Sequence, residues 1–340
     1  MNDPHASRPV SGAPAAAAAA EGGTPASAQV STPAPPEAAS AGVPARAAVV
    51  GAGTIGLSWA RLFAAAGTAV TVFDPRDDLA EVLAALTADA GLPEGALTRA
   101  STAAEAVDGV EFVQESGPEE PHAKAALFAQ LAEAAPEDAL LLSSSSAIPA
   151  SRFAADLPEA AAARVLVGHP FNPPHIMPLV EVVPGERTAA EAVERAVQMY
   201  RSYGRAPIVL KQEVRGFVGN RLQNAVLREA VHLVQSGVVD AADLDTAVKN
   251  SLGLRWAAVG PLEGLHLGGG AQGLRGLMEH IGPSFAAIDL HEPDMSAEGM
   301  EPVFAQTEAA YGMPPRAEIA AERDRFQEGV LRLRGEPQEG

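Results

Sequence analysis

The chain contains no cysteine, which excludes disulfides, thiolate metal sites, iron–sulfur clusters and a cysteine nucleophile, and fits a reducing, cytoplasmic location. Lysine is nearly missing as well, with Lys124, Lys211 and Lys249 the only three in 340 residues. Basic residues number 24 against 43 acidic ones, and the formal charge of −19 argues against nucleic acid or an anionic membrane surface as a partner. No uncharged apolar run reaches the roughly 18 residues of a membrane span. His175, His232, His266 and His280 show no metal-ligand spacing, so no metal is expected.

Hydrophobic residues make up 47% of the chain, too many for a disordered polymer, and the length suits two domains. Residues 1–45 stand apart, holding 15 Ala and 8 Pro with almost no aliphatic side chain larger than Val. Such a segment cannot bury enough surface to offset its ordering entropy and is expected to be a disordered tail. An unrecognised export signal is the alternative, but Arg8 is the sole basic residue before Arg46.

From Arg46 the texture changes. Residues 47–50 form an apolar run ending in glycines, a helical pattern continues through Leu57, Leu62 and Phe63 to Gly67, and 69–73 reads as a second strand. Strand-like runs recur at 110–113, 139–142, 165–167 and 179–183, separated by Ala-rich helical stretches such as 122–135. The alternation predicts an α/β fold: a Rossmann-type doubly wound, mostly parallel sheet with helices on both faces. After Ile208-Val209-Leu210 the strand signals stop, and 216–236, 240–251, 259–280 and 298–333 read as helical. The expected organisation is a Rossmann domain at 46–211, a smaller all-α substrate and dimerisation domain at 212–333, and a tail at 334–340.

Residues 51–56 read Gly-Ala-Gly-Thr-Ile-Gly, a GxGxxG motif that follows a strand and opens a helix. Gly51 would make the tight turn, Gly53 let backbone approach a pyrophosphate, and Gly56 let helix pack on strand. The pyrophosphate would lie on the helix N-terminus at Thr54 and Ile55, where free N–H groups and the dipole favour negative charge. Asp74 closes the second strand 23 residues after Gly51, placed to accept the ribose hydroxyls and to repel a 2′-phosphate. NAD is the expected cofactor, and Arg76 is the one feature that leaves NADP open.

A second informative stretch runs from Val167-Gly168-His169-Pro170-Phe171-Asn172-Pro173-Pro174 to Leu179-Val180-Glu181-Val182-Val183. It reads as strand, proline-rich turn, strand. With the turn centred near His175, His169 and Glu181 lie symmetrically about it and can face each other across neighbouring strands. A His–carboxylate pair suits general-base work, because the acid fixes the imidazole tautomer and stabilises the imidazolium that forms.

With these blocks on the page, the chain resembles the L-3-hydroxyacyl-CoA dehydrogenase family, in the branch of lambda-crystallin/L-gulonate 3-dehydrogenase and L-carnitine dehydrogenase. The resemblance spans about Ala47 to Gly276 and rests on GAGTIG, FVQES, LSSSS, GHPFNPPHIMPLVEVVPGERT, RGFVGNRLQ and GLRWAAVGPLE. It implies an NAD-dependent dehydrogenase, a homodimer through its helical domain, in which His169 is the base and Glu181 its paired acid. It also implies that Ser146, with Ser145 one residue away as the alternative, and Asn220 contact the substrate oxygen. Glu115, in FVQES, matches an acid near the nicotinamide end, and Lys124 is carried over as a cofactor-binding residue with it.

Two departures bear on the substrate. Only 40 residues separate Asp74 from Glu115, and they contain two basic residues, Arg76 and Arg99, and no lysine, where acyl-CoA members carry a Lys-rich helical pair. His169 is followed by Pro170, as in the free-acid branch. A small L-3-hydroxy acid is therefore the expected substrate, with Arg255 of Gly253-Leu254-Arg255-Trp256-Ala257 able to clamp its carboxylate through a forked pair of hydrogen bonds. The alternatives are a 3-hydroxyacyl thioester on CoA or a carrier protein, and a non-catalytic NAD-binding structural protein.

Overall fold

The computed structural model describes residues 42–335. The expected tail therefore lies outside the described residues as far as residue 41, as do residues 336–340 at the other end. Of the remaining expected tail, Pro44 accepts a 2.7 Å hydrogen bond from the Thr68 hydroxyl through its carbonyl, and the Ala45 N–H donates to Glu111 at 2.6 Å.

Strands and helices alternate from β1 (Arg46–Val50), α1 (Thr54–Ala65), β2 (Ala69–Phe73), α2 (Leu79–Asp89), β3 (Leu97–Arg99), α3 (Ala103–Ala106) and β4 (Phe112–Glu115) to α4 (Pro121–Ala134) and β5 (Leu140–Ser143). Two short helices, α5 (Ala150–Phe153) and α6 (Glu159–Ala162), lead to the pair β6 (Val165–Pro170) and β7 (Leu179–Pro184), then α7 (Ala190–Ser202) and β8 (Ala206–Val209). Helices follow: α8 (Gly219–Gln235), α9 (Ala241–Lys249), α10 (Leu252–Ala258), α11 (Pro261–Gly268), α12 (Gly273–Ala286), α13 (Ala297–Tyr311) and α14 (Ala317–Leu333).

The eight strands form one sheet in the order β3-β2-β1-β4-β5-β6-β7-β8, parallel except for the antiparallel β6–β7 pair. This is the mostly parallel Rossmann-type sheet that the alternation of patterns predicts, followed by helices. Side chains alternate across a strand, so Ala47 and Val49 enter one core layer with Trp59, Phe63 and Tyr200, while Ala48 and Val50 enter the other with Phe128, Leu131 and Phe153. Burial on both faces explains why β1 reads as an unbroken apolar run rather than an alternating one.

Helix α1 holds the glycine loop rigid. Trp59, Leu62 and Phe63 are buried along it, Trp59 stacks on Phe63 at 5.1 Å, and Phe63 meets the edge of Phe112 at 5.0 Å. Gly67, at φ +96°, ends the helix in the left-handed conformation that glycine adopts at least cost. At α4, the Glu120 carboxylate accepts the His122 and Ala123 N–H groups and Pro121 occupies the first turn, which fixes where the loop after β4 stops.

Candidate active site

The ends of β4, β5 and β6 and the segments after them converge with the first turns of α1 and α8 around a cavity of about 610 Å3. A groove of about 710 Å3 beside α7 is larger, but neither the glycine loop nor His169 lines it.

On the cofactor side, Gly51 sits at φ +101°, and a side chain there would meet the Ser116 carbonyl at 2.6 Å. A Cβ on Gly56 would stand 1.8 Å from the Gly51 carbonyl, so the α1–β1 packing requires glycine. Gly53 is different: nothing lies within 4 Å of the place where its Cβ would be. That open space fronts the N-terminus of α1, which has no side-chain cap and no acidic residue in its first turn. Uncapped N–H groups beside open space suit a pyrophosphate.

Asp74 spans the loop, accepting the Ala52 N–H at 2.6 Å on one oxygen and the Arg76 N–H at 3.0 Å on the other. Each oxygen keeps a lone pair for a ribose hydroxyl. Arg76 is engaged elsewhere, its guanidinium forked onto Asp78 at 2.6 and 2.9 Å, so the cation that kept NADP open is already paired.

The β6–β7 hairpin pairs His169 with Glu181 in register, as symmetry about His175 requires. His169 Nδ1 lies 2.7 Å from Glu181 Oε2, and both side chains are buried. An ionised carboxylate only accepts, so Nδ1 carries the proton and Nε2 is left with its lone pair. Burial alone would raise the Glu181 carboxyl. The hydrogen bonds from His169 and from the Gly219 and Val218 N–H groups, the latter two at 3.0 and 2.8 Å, outweigh it and hold the group below the usual carboxylate range.

Those two N–H groups belong to the turn that starts α8, so one carboxylate ties the histidine to the helix carrying Asn220. Phe217, at φ +46°, shapes that turn from a fully buried position, its ring 5.4 Å from the His169 ring. A left-handed phenylalanine is strained. Its burial and the two bonds to Glu181 hold it there.

The four serines divide. Ser145 is buried, donates to Glu119 at 2.9 Å and does not line the cavity. Ser146 does line it, with its N–H 2.6 Å and its hydroxyl 3.4 Å from Glu119 Oε1. Ser144, which sequence reasoning missed, is the centre of a polar network. Its Oγ accepts the Trp59 indole N–H at 3.1 Å and a Gln114 amide N–H at 2.8 Å, and stands 2.9 Å from Ser116 Oγ. With both lone pairs taken, Ser144 must donate, and Ser116 is left with a hydroxyl proton on a residue that lines the cavity.

Glu115 and Lys124, expected beside the cofactor, are instead buried in each other. Both Glu115 oxygens lie 2.7 Å from Lys124 Nζ, and they also accept the Ser143 hydroxyl at 2.6 Å and the Gly117 N–H at 2.7 Å. The acid that lines the cavity is Glu119, four residues on. The sequence Pro118-Glu119-Glu120-Pro121 marks a turn and does not distinguish an inward from a capping glutamate. Arg255 is likewise displaced from its expected place: it is exposed on α10 and does not line the cavity. Asn220 lines it, together with Gln223 one turn along α8.

Residues 46–214 match the family description "3-hydroxyacyl-CoA dehydrogenase, NAD binding domain", and 216–304 match "3-hydroxyacyl-CoA dehydrogenase, C-terminal domain". The chain is 41% identical over 303 residues to an L-carnitine dehydrogenase of Streptomyces griseus subsp. griseus, covering 85% of this chain and 90% of the relative. It is 38% identical over 307 residues to a lambda-crystallin homolog of Bos taurus, with 84% and 92% covered. Among solved structures, the FHMPC 5-dehydrogenase, described as an NAD+-dependent dismutase acting on a pyridine carboxylic acid, superposes with a TM-score of 0.71 at 29% identity. The match covers 85% of this chain and 98% of that one.

Proposed function

Because the chain belongs to the 3-hydroxyacyl-CoA dehydrogenase family, and is thereby an NAD-dependent oxidoreductase acting on a CH–OH group, we propose that it oxidises a small free L-3-hydroxy acid to the 3-oxo acid, with L-carnitine the first candidate. The observation that carries this reading is the buried 2.7 Å contact between His169 Nδ1 and Glu181 on the wall of the cavity that Ile55, in the first turn of α1 just after the glycine loop, also lines.

Gly51, Gly53, Thr54, Ile55 and Gly56 would hold the pyrophosphate of NAD, and Asp74 would hold the adenosine ribose hydroxyls. The chemistry that NAD+ would supply when bound is that of an acceptor for the C3 hydride. His169 Nε2 takes the proton of the C3 hydroxyl, and Glu181 stabilises the imidazolium so formed. Ser146 and Asn220 hold the oxygen as it becomes a carbonyl, and Glu119 lines the same cavity with a negative charge. Glu115 and Lys124 act behind the wall, fixing the loop that carries Ser116 and Glu119. In reduction, His169 returns the proton.

Three observations support a free acid over a thioester. The interval after Asp74 has no lysine, Arg76 is paired with Asp78, and the compounds named for the Streptomyces relative and the FHMPC enzyme are free acids. The exposed apolar side chains of α10, α11 and α12 support a homodimer through the helical region, and the cysteine-free composition fits the cytoplasm. Among the described residues, no helix is long and apolar enough to cross a membrane.

NADH formation measured with L-carnitine, L-gulonate, L-3-hydroxybutyrate and L-3-hydroxybutyryl-CoA tests the reading. One of the free acids should have the highest kcat/KM. A preference for the thioester would overturn the free-acid assignment, and no turnover with any of the four would overturn the substrate class.

A further inference from the structure

We infer that Gln223 and Asn172 form a carboxamide subsite for the substrate carboxylate, a neutral clamp in place of an arginine; the inference rests on the free-acid reading above and names what recognises the acid.

A buried or half-buried carboxylate needs several donors. No arginine or lysine lines the cavity, and its one acidic side chain, Glu119, would repel a second negative charge. The polar groups on the wall separate by whether their bonding capacity is already used. Ser144 is saturated within its network, Ser116 keeps a single hydroxyl proton, and Ser146, held to Glu119 through its N–H, is the hydroxyl assigned to the reacting oxygen. Among the described residues, the side-chain amides of Asn172, Asn220 and Gln223 make no hydrogen bond to protein, yet all three line the cavity with His169. They also come from the turn after β6 and the first turns of α8, whereas Glu119 comes from the loop after β4.

Helix geometry connects Gln223 to the reaction. Residues three apart share a helix face, so Gln223 follows Asn220 along the cavity wall with a rise of about 4.5 Å. In a 3-hydroxy acid the carboxylate carbon lies two C–C bonds from C3, about 2.5 Å away, with its oxygens one bond further out. With Asn220 on the reacting oxygen, the longer Gln223 side chain meets the carboxylate. Asn172, three residues beyond the base, supplies a second amide. Four N–H donors match a carboxylate, which accepts along about four lone-pair directions; a thioester carbonyl offers half as many and carries no charge.

The test compares L-3-hydroxybutyrate with its methyl ester in the full-length protein. Gln223→Leu keeps the side-chain bulk and removes the donors, and Gln223→Glu sets a like charge against the carboxylate. The expected result is a KM for the acid raised about 10-fold or more in Gln223→Leu and further in Gln223→Glu, with kcat falling far less. The KM values for NAD and for the ester should move less than about threefold, and Gln223→Asn should restore part of the acid KM. Equal shifts for acid and ester, or a shift in the KM for NAD instead, would overturn the subsite. If either variant fails to fold, Asn172→Ala read against the same acid–ester pair decides. Activity on the acid with an unmoved KM refutes the subsite alone, whereas a wild-type protein that oxidises no 3-hydroxy acid removes the proposed function along with it.

Discussion

The sheet region and the helical region after it treat apolar side chains in opposite ways. Trp59, Phe63, Phe128, Leu141 and Leu142 are fully buried between the sheet and its helices, so that region closes its own core on both faces. In α10, α11, α13 and α14 no residue is buried, and Leu254, Leu262 and Phe326 are 62%, 69% and 64% exposed. A chain does not keep that much apolar surface against water without a cost of about 25 cal/mol per Å2. The sheet region can therefore hold the glycine loop and the His169–Glu181 pair on its own core, while the helical region supplies Asn220 and Gln223 of α8 to the cavity wall and leaves an apolar surface, for which a second copy is the proposed cover.

The largest expected effect sharpens that division of labour. His169→Ala should lower kcat by a factor of about 10² to 10⁴ while NADH still binds, because the glycine loop and Asp74 do not involve the imidazole. Turnover near that of the wild type would remove His169 from the chemistry. Loss of NADH fluorescence binding in the variant would show that cofactor site and base are not separable.

Next come two truncations of apolar side chains, one in each region. Phe63→Ala in α1 should cost about 3–5 kcal/mol, since the ring is fully buried against Trp59, Phe112 and Tyr203. Leu262→Ala in α11 should cost less than about 0.5 kcal/mol in an isolated protomer. If a second copy covers α11, its effect grows and the melting temperature of the variant depends on protein concentration. A concentration-independent, near-zero change would break the proposal that this face is a dimer contact.

Glu181→Gln gives a smaller, pH-dependent effect. The folded carboxyl is held below its ordinary value of 4.5, so its stabilisation is fully present above that pH and is lost as pH falls through the lower, folded value. Wild type and Glu181→Gln should differ most near neutrality and converge in acid. Parallel unfolding curves across the whole range would mean that Glu181 is not preferentially ionised in the fold.

What the sequence made legible follows the same division. The glycine loop could be read because each glycine answers a local demand of strand, turn and helix, and the His169–Glu181 pairing because a hairpin imposes mirror register about its turn. Strand β3 passed unnoticed: Leu97-Thr98-Arg99 is three residues long, half exposed and at the sheet edge, where no apolar run is required. The two carboxylates after β4 could not be told apart, since which one turns inward depends on Lys124 reaching back nine residues to bury Glu115. Arg255 carried the chemistry expected of a clamp, but its position depends on how α10 packs beside α9 and α11, and nothing local in the sequence encodes that. Ser144 was hidden among four equal serines because its distinction comes from Trp59 and Gln114, which lie 85 and 30 residues away.

The smallest expected effect lies at the tip of the β6–β7 hairpin, where it meets α1. His175 sits in the β6–β7 turn, and its backbone N–H donates to Ser58 Oγ on α1 at 3.0 Å. Ser58 Oγ also lies 2.7 Å from His175 Nδ1, so one hydroxyl meets both the backbone and the ring of the histidine. Burial, with Arg61 and Arg205 nearby and only Asp324 opposing them, pushes the imidazole down to about 4. In the unfolded chain the same group titrates near 6.5, so between these values the unfolded state binds more protons and stability falls as pH falls. The contribution is complete above about pH 6.5 and gone near pH 4. His175→Asn should flatten the stability profile over that window, and because the latch joins the cofactor helix to the hairpin bearing His169, it should weaken NAD binding slightly at neutral pH. Ser58→Ala should reproduce the binding effect while leaving more of the pH dependence, since it removes the partner but not the buried imidazole. Identical wild-type and His175→Asn profiles from pH 7 to 4 would show that the imidazole is solvated in solution and that the hairpin is held by Arg205, which donates to the Pro174 carbonyl at 2.8 Å, without the latch.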